Sequence, residues 1–135
     1  MENLYNDINF IKSCYSKYNL INEGKNIPDF SPYFDPEAKV IFNNVTYNFK
    51  ETIDLINIFC KNMNSVKVNI IYEIECLDQV NRSYLVLSNW ECETVTGQKD
   101  VCPMMEIIDI KNDRIIKAIG VIHMGILGNL LTDIT

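Results

Sequence analysis

The sequence predicts an α+β domain in which helices come first and a sheet follows. Apolar residues recur at helical spacing up to about Leu20 and again after Asn48, then alternate with a period of two from Val66 onward. The links between the later strands are short, which suits an antiparallel meander. With 135 residues the chain fits one domain over 1-135, closed by an apolar tail at 125-135.

From Asn3 to about Leu20, the residues Leu4, Ile8, Ile11, Tyr15 and Tyr18 share one helical face, with Asp7, Lys12 and Lys17 turned outward. Gly24 ends that region, and Pro28 and Pro32 keep the piece around Ile27, Phe30, Tyr33 and Phe34 irregular. A strand runs from Ala38 to Phe42 and turns at Asn43-Asn44. Asn48 then caps a second helix, and Glu51 is placed to complete a capping box. The apolar face of that helix is Ile53, Ile56, Cys60 and Met63, with Phe59 alongside. Val66, Val68, Ile70, Tyr72 and Ile74 share one side of the next strand. Tyr84, Val86, Ser88, Trp90 and Cys92 share one side of the strand after it. Gly97 marks a turn, a strand follows from Val101 to Ile110, and the turn Lys111 to Arg114 leads into the last strand, Ile115 to His123.

Composition excludes several function classes. An apolar fraction of 47% and a charged fraction of 22% are those of a globular protein. The net charge of -6, with no basic stripe, argues against nucleic acid and against anionic membrane surfaces as partners. Met1-Glu2-Asn3 lacks the basic start of a secretory signal, so a cytoplasmic location is expected. Ile115 to Leu131 is nearly apolar, yet it contains Lys117 and His123 and is shorter than a span of ~20 residues. The five cysteines, Cys14, Cys60, Cys76, Cys92 and Cys102, form no C-x-x-C pair and have no histidine near them in sequence. Neither disulfides nor a zinc site are expected from them. No phosphate-binding, dinucleotide or nucleophile-elbow motif occurs, so no cofactor is expected. His123, the sole histidine, alternates away from the inner face of its strand.

Three local phrases point further. Tyr33-Phe34-Asp35-Pro36-Glu37-Ala38-Lys39-Val40 resembles the phrase with which nuclear transport factor 2-like proteins enter their first strand. Asn48 to Ile56 resembles the start of their third helix, and Asn112-Asp113-Arg114-Ile115-Ile116 the turn before their last strand. The resemblance covers about residues 3 to 124. It implies a cystatin-like cone, with N-terminal helices packed on a curved, mostly antiparallel sheet around a pocket. Members of this superfamily include SnoaL-like polyketide cyclases, ketosteroid isomerases, dehydratases and binding modules without catalysis, so the fold does not select the activity.

The resemblance also implies where catalytic carboxylates would sit. Carried over by spacing, the base position falls on Phe42, the acid position on Met105, and the inward aspartate of many SnoaL-like members on Gly120. Only the tyrosine survives, as Tyr18. No catalytic residue is therefore expected at these positions, although a one-residue change of register turns Glu106 or Asp109 inward. The expected pocket wall is Tyr18, Phe34, Trp90, Met105, Ile107, Ala118, Gly120 and Ile122, with Ala118 and Gly120 leaving volume. Such a wall suits a small hydrophobic or aromatic ligand. Two alternatives stay open: an isomerase, cyclase or dehydratase using Glu106 or Asp109, and an interaction module whose cavity is filled. On the outer sheet face, Ile71, Leu85, Leu87, Ile119 and Val121 form an apolar patch that suits a homodimer.

Overall fold

A computed structural model describes residues 2–23 and 25–122. The expected helix boundary at Gly24, the outward His123 and the tail at 125-135 lie outside the described residues.

Helix α1 spans Glu2–Lys17 and runs into a 3-10 turn at Tyr18–Leu20, so Tyr18 stands just past the α-helix. Ile11, Cys14 and Tyr15 are buried on its inner stripe. Asp7 joins them, contrary to the expectation that it faces solvent, and is only 2% exposed. The spacing 7, 11, 15 explains why, since residues four apart share a helical face. A cation makes the burial tolerable. Arg82 Nε and Nη2 donate to the two Asp7 oxygens at 2.9 and 2.5 Å, and Tyr84 Oη donates at 2.6 Å. Burial alone would raise this carboxyl, but the bonds from Arg82 and Tyr84 and the guanidinium charge hold it below its ordinary value.

Helix α2 spans Phe49–Lys61 and starts with the expected capping box. Glu51 N donates to Asn48 Oδ1 at 2.8 Å, and Asn48 N donates to Glu51 Oε1 at 3.0 Å. These two bonds satisfy backbone donors that the helix start would otherwise leave open.

Seven strands form one sheet among the described residues. They are β1 Phe34–Phe42, β2 Val45–Tyr47, β3 Met63–Ile70, β4 Glu75–Asp78, β5 Ser83–Thr94, β6 Lys99–Lys111 and β7 Arg114–Ile122. Their order is β2-β1-β7-β6-β5-β3, with β4 also on β5. The β1–β7 pair is parallel and the other pairs are antiparallel. β1 begins at Phe34 rather than Ala38, and β2 is an unexpected short partner across the turn. Asn43 and Asn44 make that turn at φ 46° and 70°, and Asn112 and Asp113 make the β6–β7 turn at φ 53° and 59°. Paired left-handed residues of this kind suit two-residue hairpins.

The expected strand through Ile74 is corrected. β3 ends at Ile70, and the chain rejoins the same edge of β5 as β4, leaving Tyr72 67% exposed between them.

The core lies between the helices and the inner sheet face. Asp7 is the charge on which that packing depends most. Asp7→Asn leaves Arg82 without its buried counter-charge, and a loss of about 3 kcal/mol is expected by urea denaturation at pH 7. The folded-state pKa of Asp7 is lowered, so its contribution is present above the unfolded value and lost as pH falls through the folded one. The deficit of the variant should therefore shrink below about pH 4.

Candidate functional site

Both helices stand off the sheet enough to leave a cavity of about 130 Å³. An apolar cavity of about 150 Å³ holds benzene, so this space is the size of a single ring. α1 contributes Cys14 and Tyr15, its terminal turn Tyr18, and α2 Thr52, Leu55, Ile56 and Phe59. Phe34, Val40 and Phe42 come from β1, Trp90 from β5, Met104, Glu106 and Ile108 from β6, and Ile115, Ala118 and Ile122 from β7.

The walls are largely aromatic and mutually braced. Trp90 meets Tyr18, Phe59 and Tyr15 edge to face at 4.6, 5.9 and 6.1 Å between ring centroids. Its indole N–H donates to Ser88 Oγ at 3.0 Å, which fixes the plane of the ring.

One carboxyl enters this apolar space. Glu106 pairs with Gly120, and Gly120 pairs with Phe42, so the three form a row across β6, β7 and β1. A Cβ at residue 120 would lie 3.3 Å from Glu106 Oε2 and 3.5 Å from Phe42 Cδ2. The missing side chain is thus what lets the carboxyl lie over β7. The volume expected to be left empty by Gly120 is taken by Glu106 and Phe42.

Tyr15 Oη donates to Glu106 Oε1. Among the described residues no cation pairs with Glu106. Burial pushes its carboxyl above the ordinary value, and the Tyr15 hydrogen bond, which acts the other way, does not offset it. Burial, then the charge of Glu106, raises Tyr15, and burial raises Tyr18, so both hydroxyls keep their protons at neutral pH. Burial likewise raises the Cys14 thiol, which makes it a packing residue and not a nucleophile.

A second polar group stands on α2. Thr52 is 3% exposed, and its hydroxyl is buried without a hydrogen-bond partner among the described residues. Leaving such a group unmet costs about 1–3 kcal/mol.

No protein-family profile and no curated protein matches the sequence. Solved structures do match in shape. AclR from Streptomyces galilaeus superposes with a TM-score of 0.76 at 10% identity, over 96% of this chain and 98% of that one. BvnE pinacolase from Penicillium brevicompactum gives 0.72 at 10% identity, over 99% and 92%. A SnoaL-like protein from Jannaschia sp. CCS1 gives 0.71 at 8% identity, over 95% and 92%. The chain has the nuclear transport factor 2-like fold.

Within this nuclear transport factor 2-like cone the expected wall divides. Tyr18, Phe34, Trp90, Ala118 and Ile122 line the cavity, and Gly120 lies beneath the Glu106 carboxyl. Met105 and Ile107 do not line it. Met105 is 48% exposed, and the two alternate with the inward Met104, Glu106 and Ile108. Counting back from Ile115 crosses an irregularity between Asp109 and Ile110, which shifts the register by one. The same irregularity puts Ile115 against the cavity. Glu106 is therefore the inward carboxyl, while Asp109 accepts a hydrogen bond from Ser83. Tyr15 was expected only as core, and Thr52 was missed. Its position four residues before Ile56 was the available signal.

Among the described residues no group of three or more histidine, cysteine or acidic side chains could hold a metal ion. No described helix is long and apolar enough to cross a membrane.

The raised carboxyl has a measurable consequence. Because folding favours protonated Glu106, the parent loses stability as pH rises above the unfolded glutamate value. Glu106→Gln should unfold at a higher temperature than the parent at pH 7.5, with the gain closing toward pH 4. A variant no more stable at pH 7.5 contradicts the burial of an uncompensated carboxyl.

Proposed function

We propose that the cavity binds a small, largely apolar molecule of about one ring, and that Glu106 exchanges a proton with it. The observation that carries this reading is a half-buried carboxyl that meets no cation in an otherwise apolar cavity, with its proton affinity raised. Such a group suits removal of a proton beside a carbonyl, or protonation of a departing oxygen. Tyr15 orients the carboxyl through its hydrogen bond. The Tyr18 hydroxyl, kept protonated by burial, is a donor available to a developing oxyanion. That one neighbour of the same fold is named a pinacolase agrees with an enzyme but does not assign the reaction.

A second reading keeps the ligand and drops the chemistry. Its support is that Glu106 is the only carboxyl among the described lining residues, so binding would rest on burial against aromatic walls.

Deuterium exchange separates the two readings. Phenylacetone in D₂O, followed by proton NMR, should lose its C–H protons beside the carbonyl faster with the protein than in buffer. The acceleration should fall by about 10²–10⁴-fold in Glu106→Gln. Exchange at the buffer rate, with phenylacetone bound, leaves the non-catalytic reading.

The outer sheet face supports a homodimer as well. Ile71, Ile119 and Val121 are 44%, 40% and 46% exposed. Two cross-strand rows, Leu85–Ile107–Ile119 and Leu87–Met105–Val121, make the patch continuous and absorb the two residues that face away from the cavity. A two-fold axis through one self-complementary patch would cover it. Light scattering at micromolar concentration should give twice the chain mass, and Val121→Glu should shift it toward the monomer. A monomeric parent overturns this assembly.

A further inference from the structure

We infer that Thr52 is a second polar anchor of the cavity, holding a hydrogen-bonding group of the ligand other than the one that meets Glu106. This rests on the ligand-binding reading above.

The argument begins with position. Thr52 is the fourth residue of α2, and its backbone N–H donates to the Asn48 carbonyl at 2.9 Å. Its side chain shares the inward face with Ile56 and Phe59 and lines the same cavity. Serine and threonine side chains inside helices commonly bond back to a carbonyl one turn earlier. Thr52 Oγ1 makes no such bond, and no other described residue meets it. Valine would fill the same volume without a polar atom, so packing alone gives no reason for a hydroxyl here.

A ligand supplies the reason. The hydroxyl both donates and accepts, so it can meet a carbonyl or another hydroxyl. Glu106 stands on β6 bonded to Tyr15 of α1, while Thr52 stands on α2, so the two polar points come from different elements of the wall. Apart from the Tyr15 and Tyr18 hydroxyls and the Cys14 thiol, the rest of the lining is apolar. The ligand class that satisfies this arrangement is a single-ring molecule bearing two oxygen-containing groups on an apolar frame.

Trp90 provides the readout, because it is the only tryptophan and it lines the cavity. Its indole N–H resonance is followed in ¹⁵N–¹H NMR while p-cresol, with one polar group, or each of the three hydroxybenzyl alcohols, with two, is added. At least one hydroxybenzyl alcohol should bind the parent about ten-fold more tightly than p-cresol, the scale of one added hydrogen bond. That preference should vanish in Thr52→Val and persist in Thr52→Ser. Thr52→Val without ligand should unfold at the same temperature as the parent or higher, because an unmet hydroxyl has gone. A preference that survives in Thr52→Val, or a Thr52→Val protein that unfolds earlier, overturns the anchor alone. If no probe moves the Trp90 resonance in the parent, the ligand-binding reading falls and the anchor falls with it.

Discussion

Helix α1 meets the sheet along one stripe, and a carboxyl stands at each of its two polar contacts. Asp7 and Tyr15 are eight residues apart, roughly 12 Å along the axis, with buried Ile11 between them. At the first contact the helix brings the carboxylate, the turn before β5 brings Arg82, and β5 brings Tyr84. At the second the sheet brings the carboxyl, Glu106, and the helix offers only a hydroxyl. The electrostatics therefore run in opposite directions. A guanidinium keeps Asp7 ionised, which makes it a clamp, whereas a neutral donor leaves Glu106 with raised proton affinity. The clamp holds α1 in place over the carboxyl, so the cavity depends on it.

The floor of the cavity follows from strand pairing. The parallel β1–β7 contact puts Phe42 beside Gly120, and the antiparallel β6–β7 contact puts Glu106 on the other side. Ala118 stands one row along, between Val40 and Ile108. Two small residues on β7 thus let larger neighbours lean over that strand from both sides. A side chain at residue 120 would compete directly with the Glu106 carboxyl, so the small residue matters for the space it yields to its neighbour.

Much of this was legible in the sequence, and the failures share a cause. The capping box at Asn48 and the inward set on β5 depend on neighbours a few residues away and are found as expected, whereas Met63, counted on the apolar face of the second helix, opens β3 because α2 ends at Lys61. Asp7 was misjudged because a helical period shows which residues share a face but not which charge will meet a cation from residue 82. β4 separates from β3 across residues 71–74, a break that the alternation of residues does not report. The shift between Asp109 and Ile110 reversed the reading of Met105 and Glu106, since one residue of slip exchanges the two faces of a strand. That single slip hid the carboxyl on which the functional reading now rests.

Three features that cost stability coincide in one place. Largely apolar walls line a space of about 130 Å³ that no described side chain fills. Glu106 lies in that space without a cation, and Thr52 Oγ1 without a partner. Each could be relieved by one conservative substitution, a larger aliphatic residue, glutamine or valine, without altering the fold. Among the described residues, Thr52 Oγ1 is the one fully buried side-chain polar atom left without a partner, and even the buried Asp7 carboxylate is bonded. A single occupant of the cavity would relieve all three together, by filling the void, meeting the carboxyl and meeting the hydroxyl. Binding to the folded chain alone would then return stability in proportion to occupancy. That coincidence is what the ligand-binding proposal explains, because random defects have no reason to be repairable by one molecule.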